Sequence, residues 1–282
     1  LRRSSAASDV YKRQPVFHIC MEASENNFWT EPPWGAGEKK YRLGLRPIEL
    51  GEWLNRKIGE NLLKHKKNLL DSDYNKVIAV TEDSIDAQIC LGKIFGIKHT
   101  KYPDLIAELS LNIQDDLCLM ESQGQQKLLA ASICSPSYWD VRTKIGKPLK
   151  VIHDPVTSLD EKIGERIATF IRQSPIKKPF ARQNWLVHGD TKRFHLKEED
   201  TLLTDPSSWY IRSEKETLCR FHEDYSLFTI NVLFEPLNKI VDYPDALKGL
   251  IKSLETFDED ESVYFGGSDK INILLEYLKA QL

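Results

Sequence analysis

Apolar positions along this chain recur at two spacings, one helical and one alternating, and the switch between them divides the sequence into elements. Leu54, Ile58, Leu62 and Leu69 return to one side of a 3.6-residue spiral, and Pro47 suits a helix first turn. The pattern therefore predicts a helix over residues 48–70. His65 lies in it among Lys64, Lys66 and Lys67, which reads as a solvated face. Asp83 or Ser84 is placed to cap a second helix carrying Ile85, Ile89, Ile94 and Phe95. His99 follows its end after Gly96 and is expected to meet the last helix carbonyls.

From Asp116 the spacing changes. Residues 117–121 and 128–134 are short apolar runs joined by Ser122, Gln123, Gly124 and Gln125, the pattern of a hairpin. Asp160 can cap a helix with Ile163, Ile167, Phe170 and Ile171 on one stripe, which Pro175 and Pro179 end. Residues 184–188 read as a strand and 195–208 as a polar loop. A second hairpin is expected from 209–220 and 225–234, turned at His222, Glu223 and Asp224. Alternation along its first arm puts Tyr210, Arg212, Glu214 and Glu216 on one side. Helices near 245–256 and 268–282 close the chain, the second striped by Ile271, Leu274, Leu275, Leu278 and Leu282. The acidic run Asp258, Glu259, Asp260, Glu261 between them reads as a solvated loop.

This order of elements predicts an α+β fold, an antiparallel sheet with flanking helices and a helical N-terminal extension. Residues 1–14 are polar, without periodicity and without an initiator Met, and read as non-native adaptor or vector sequence. Residues 15–42 form an extended arm held by Trp29 and Trp34, and 43–282 a single domain.

Charge and composition narrow the function by exclusion. The 39 Lys and Arg against 42 Asp and Glu, net charge -3, give no electrostatic case for nucleic acid or a membrane surface. No apolar run reaches the roughly 18 residues that span a bilayer, and no signal-type apolar segment opens the chain, so the cytoplasm is the expected location. Cys20, Cys90, Cys118, Cys134 and Cys219 are odd in number and lack a CxxC pair. They read as reduced thiols, with no iron–sulfur or thiolate–zinc set.

The remaining chemistry concentrates between Leu117 and Val156. Two strand-like runs lead into Ser135-Pro136-Ser137-Tyr138-Trp139, then Lys144-Ile145-Gly146-Lys147-Pro148-Leu149, then Ile152-His153-Asp154-Pro155-Val156. A Trp, a cluster of cations and a His before a Pro suit a pocket for a flat cofactor that is apolar with anionic groups. Around this stretch stand Gly44-Leu45-Arg46-Pro47 with Trp53, then Asp116-Leu117-Cys118-Leu119-Met120-Glu121, Arg182-Gln183-Asn184-Trp185 with His188, and Arg212-Ser213-Glu214-Lys215-Glu216-Thr217-Leu218. In this order and spacing they resemble the haem-dependent oxidative N-demethylase family, in its haem-bearing subunit, from about residue 43 to the C-terminus. Glu216 departs from the family motif, which has an amide there.

The resemblance implies a PAS-like haem pocket and an oxidoreductase of the monooxygenase type acting on a small secondary amine such as dimethylamine with oxygen. His153 is the implied axial ligand and His188 its rival, since neutral imidazole ligates haem iron. Arg142, Lys144 and Lys147 are placed for the propionates, and Trp139 for the porphyrin plane. Arg182, Asn184, Trp185 and His188 form a further cofactor-facing cluster, with Arg212 and Glu214 as the distal catalytic pair. No Gly-rich dinucleotide motif or cluster-binding Cys set is encoded. Electrons would therefore come from an NADPH-dependent reductase partner carrying flavin and iron–sulfur centres. The alternatives are a non-catalytic haem-binding gas sensor or carrier on the same scaffold, or a structural subunit without haem.

Overall fold

The structure, a computed structural model, describes residues 28–40, 42–153, 164–197 and 204–282, with only the backbone of His153. The expected adaptor 1–14, the first part of the arm, Cys20, the Asp160 cap with Ile163, and residues 198–203 of the polar loop lie outside the described residues.

Seven strands make one antiparallel sheet: β1 (Arg46–Pro47), β2 (Ile78–Val80), β3 (Asp116–Glu121), β4 (Leu128–Ser132), β5 (Pro179–His188), β6 (Tyr210–Arg220) and β7 (Tyr225–Pro236). Their spatial order is β1-β5-β6-β7-β3-β4-β2. Both predicted hairpins form, and β6–β7 is the backbone of the sheet, paired without slippage from Tyr210 opposite Pro236 to Arg220 opposite Ser226. Such an unbroken ladder fixes which side chains share a face, because a one-residue slip would invert them all.

The helix expected over 48–70 begins later. Pro47 instead pairs with Phe180 on the sheet edge, where a missing N–H costs nothing. A short 3-10 turn (Leu50–Glu52) follows, and helix α1 (Glu60–Ser72) starts after Gly59. Beyond it come α2 (Tyr74–Val77), α3 (Ile85–Phe95) and α4 (Leu105–Ser110). Ser84 precedes α3 and Gly96 closes it at φ 67°. The buried stripe of α3 is Ala87, Gln88, Leu91 and Gly92, while Ile85, Ile89 and Ile94 face outward. Gly92 lets Leu105 of α4 pack close, since a Cβ there would stand 2.8 Å from its side chain.

The solvated face expected around His65 holds for the exposed Lys64 and Lys67 but not for Lys66. Lys66 is fully buried and its Nζ donates to the carbonyls of Ser110, Ile113 and Asp115 at 2.9–3.1 Å. His65 lies against the Cys134 carbonyl at 2.7 Å. His99 contacts the Tyr102 carbonyl rather than the end of α3.

One face of the sheet carries two apolar cores. Leu117, Leu119, Leu227 and Cys219 pack on α1 to α4. Farther along, Trp185, Val187 and Ile211 meet α7 (Pro244–Leu254), α8 (Glu259–Phe265) and α9 (Ser268–Lys279), after α5 (Leu149–His153) and α6 (Glu165–Gln173) in chain order. Leu274 and Leu278 of α9 are fully buried, each worth roughly 1.5–3 kcal/mol of transfer free energy. The acidic run is not a loop: Asp258 and Glu261 form a reciprocal capping box that starts α8. Trp29 and Trp34 of the arm are buried in this second core, Trp34 Nε1 donating to the Ala246 carbonyl at 2.8 Å. Cys118, Cys134 and Cys219 are buried free thiols and Cys90 is a half-buried one. Among the described residues no helix is long and apolar enough to cross a membrane.

Candidate functional site

The opposite face of the sheet is where the charged row expected on β6 lies. Arg212 stands opposite Leu186 and Phe234, Glu214 opposite Asn184 and Val232, and Glu216 opposite Arg182 and Ile230. Directly paired residues share a face, so Arg182, Asn184, Arg212, Glu214 and Glu216 form one polar surface. Its apolar border is made by Met120, Leu218 and Phe228 with Ile167, Phe170 and Ile171 of α6 and Leu149 of α5.

The polar groups are connected rather than merely adjacent. Arg212 is 1 % exposed and Glu214 7 %. Arg212 Nε and one terminal nitrogen donate to Glu214 Oε1 at 3.1 and 2.9 Å, and the same terminal nitrogen donates to the Ser135 carbonyl at 2.7 Å. The other Glu214 oxygen accepts from Asn184 at 2.8 Å, and Asn184 Oδ1 accepts from Lys40 Nζ at 2.6 Å. Arg182 pairs with Glu216 at 3.2 Å. Burial lowers Lys40 to about 8, the dominant effect over the attraction of Glu214. Burial likewise raises Glu216 above the ordinary carboxylate range, against the pull of Arg182.

Asp116 fixes the segment that faces this network. Its carboxylate accepts from the Cys134 and Ser135 backbone N–H at 2.9 and 2.7 Å, and burial raises it above the usual range. The chain that follows carries Ser137 and Tyr138 against the end of β5. Ser137 Oγ lies 3.1 Å from His188 Nε2, and the Tyr138 ring stacks on His188 at 5.2 Å with planes 6° apart. Tyr138 adopts φ 61°, a left-handed conformation that side chains with a Cβ rarely take. Its N–H donates to the His195 carbonyl at 2.8 Å, and His195 Nε2 lies 3.0 Å from Asp190 Oδ1. His188 is lowered to about 3, by burial first and then by Arg212 and Lys270, so its imidazole is neutral.

The structure brings Arg212, Glu214, Arg182 and Asn184 into one network and puts His188 next to Arg212. The placements of the other expected members differ. Trp185 is on the reverse face, 1 % exposed, against Trp34 at 5.5 Å and Phe265 at 5.4 Å. The alternation of β5 forbids it to share a surface with Arg182 and Asn184. Arg142 is held bidentately by Asp140 on the surface, the shorter contact 2.5 Å. Lys144 donates to the Ile152 carbonyl at 3.3 Å, Lys147 is exposed, and Trp139 packs with Cys118, Ala131 and Val141. His153 ends α5, beside the apolar border, and its side chain lies outside the described residues.

Lys40, Tyr138, Asp190 and His195 are the participants that the sequence pattern did not single out. Lys40 arrives from the arm and His195 from what reads as polar loop, although it is 1 % exposed. Only the concentration of aromatic residues in the arm hinted that it docks. A cleft of about 1030 Å³ opens between the arm, Arg46 and α7, and it touches the polar surface through Arg182 alone.

A family model described as haem-dependent oxidative N-demethylase, alpha subunit-like, matches residues 60–270. No curated protein matches the chain.

Proposed function

Because the chain belongs to the haem-dependent oxidative N-demethylase alpha subunit-like family, we propose that it is the haem-bearing subunit of a monooxygenase that demethylates a small secondary amine such as dimethylamine. Residues 43–282 form the catalytic domain in this reading, with the sheet and α5–α6 as a PAS-like haem pocket. The observation that carries it is the buried Arg212–Glu214–Asn184 network on the sheet face bordered by α6.

The residues present suit haem in kind. Phe170, Phe228, Ile167 and Leu149 offer an apolar border for the macrocycle, and Arg182 and Lys40 are cations beside it that suit carboxylates. His153, at the end of α5, is the proposed axial ligand. His188 is neutral and so chemically competent, but it is stacked on Tyr138 and bonded to Ser137, which makes it the second choice.

Bound haem supplies oxygen activation and the oxidising power that releases a methyl group as formaldehyde. The chain's own groups set the rest. Glu214 has both oxygens engaged by Arg212 and Asn184, so it orients the guanidinium rather than receiving the amine. Glu216, paired with Arg182 and also within reach of Asn184, is the carboxylate proposed to meet an alkylammonium. Arg212 keeps a terminal nitrogen with no hydrogen-bond partner among the described residues, a fixed donor for an anionic or polarised oxygen. The alpha-subunit family points to a partner subunit, and the electrons are proposed to come from an NADPH-dependent reductase with flavin and iron–sulfur centres.

The test supplies the haem-loaded chain with dimethylamine, oxygen and a reductant and measures oxygen uptake and formaldehyde. Formaldehyde formed in step with oxygen consumed supports the enzyme. A spectral response to oxygen without formaldehyde refutes it in favour of a gas sensor or carrier.

A further inference from the structure

Where β5 leaves the sheet, a second group of ligand-type side chains borders the Arg212 end of the carboxylate network. His188, Asp190 and His195 each offer one nitrogen or oxygen atom, and the three atoms lie within 4.8 Å of one another. The two imidazole rings are 5.7 Å apart and inclined by 60°. Two imidazoles bound to one ion at about 2.1 Å place their ring centres roughly 5–6 Å apart, so little movement would close the set.

Independent features point to a ligand here. His188 is 2 % exposed, and its Nδ1 has no hydrogen-bond partner among the described residues. A buried polar atom left this way is costly, and such atoms call for an explanation. The orientation of the His188 ring is fixed from outside by Ser137 Oγ on Nε2 and by Tyr138 stacked on its face, the arrangement that outer residues give a metal-binding His. Tyr138 holds that place only through a left-handed backbone, and strain of this sort collects at functional sites.

Charge is compatible with a cation. Asp190 supplies one carboxylate, half-exposed at 38 % of its side chain and therefore a route in from solvent. Arg212, whose charge acts on His188, is compensated by Glu214. Lys270 is turned to the Val187 and Phe265 carbonyls and Arg193 to the Val232 carbonyl.

We propose that His188, Asp190 and His195 bind one divalent first-row transition-metal ion, at a site separate from the haem. Two imidazoles and a carboxylate without thiolate make a nitrogen and oxygen donor set of the kind zinc and iron(II) take, with positions left open for water or a small anion. This inference does not depend on the haem reading.

The test uses the full chain, stripped with a chelator and titrated with cobalt(II), whose visible ligand-field bands report coordination by nitrogen and oxygen. One cobalt per chain is expected, displaced by zinc(II). Asp190→Asn, at a half-exposed position that leaves the core alone, should weaken binding at least tenfold, and His195→Gln should abolish the bands. His153→Ala should keep them. Absent bands, or bands unchanged in Asp190→Asn, would overturn the site and leave the His195–Asp190 contact as a loop clamp only. Loss of the bands in a folded His153→Ala chain would equally overturn its separateness from haem.

Discussion

Replacing Arg212 by Met removes the member of the polar network on which the others converge. The wild-type guanidinium makes three hydrogen bonds, two to Glu214 Oε1 and one to the Ser135 carbonyl, at 1 % exposure. Methionine is of similar length and fills the space, so packing loss is small. What remains is a buried Glu214 carboxylate with Asn184 as its donor and a Ser135 carbonyl that has lost this one. Breaking a buried pair from one side costs about 3–5 kcal/mol. That corresponds to a melting temperature lower by roughly 6–10 °C for a chain of this size. Urea unfolding followed by far-ultraviolet circular dichroism reads the loss, with the slope of the transition checked for constancy. The double variant Arg212→Met, Glu214→Leu should recover much of it, since the uncompensated charge is gone. A single-variant loss below about 1 kcal/mol, the size of an exposed pair, would refute the reasoning, because it would mean water reaches the pair.

Three further outcomes follow from other parts of the molecule. Burial raises Asp115 from 3.8 to about 6, so the folded state holds its proton more tightly than the unfolded chain. The associated stability, about 3 kcal/mol, is present below about pH 4 and lost as pH rises to about 6. Asp115→Asn should abolish that slope in a comparison of urea midpoints, and an identical pH profile would contradict it. Histidine 188, lowered to about 3, should show no imidazole titration between pH 5 and 8 by nuclear magnetic resonance, whereas a midpoint near 6.5 would contradict its burial. Gly249→Ala would set a Cβ 2.4 Å from the Gly35 carbonyl. The arm should then detach, with faster proteolysis within residues 28–40 and a stability loss of about 1–3 kcal/mol; unchanged cleavage would argue against docking.

The hairpins and α9 were legible in the sequence because alternation and 3.6-residue spacing are local signals, and β6 with β7 obeys them along its whole length. Pro47 misled because proline suits a helix first turn and a sheet edge equally, and only pairing with Phe180 decides between them. Lys66 was invisible for a related reason: its burial depends on carbonyls 44 to 49 residues away. The charge of the acidic run suggests a solvated loop, but its spacing of Asp258 and Glu261 is that of a capping box. At the site, Arg212 and Glu214 were readable as a pair because they sit two apart on one strand face. Applying the same alternation to residues 182–188 would have removed Trp185 from it. Lys40 and His195 were not readable, since their partners Asn184 and Asp190 gain meaning only once the arm and the loop are folded back.

The enzyme reading rests on the proposal that haem sits against the polar sheet face and is ligated by His153. Its most direct measurement is the absorption spectrum of the full chain after haem supplementation and gel filtration, alongside His153→Ala and His188→Ala. The account predicts a Soret band at about one haem per chain, lost or strongly shifted in His153→Ala and kept in His188→Ala. A folded chain with no retained Soret band, or one whose band survives His153→Ala unchanged, would contradict it.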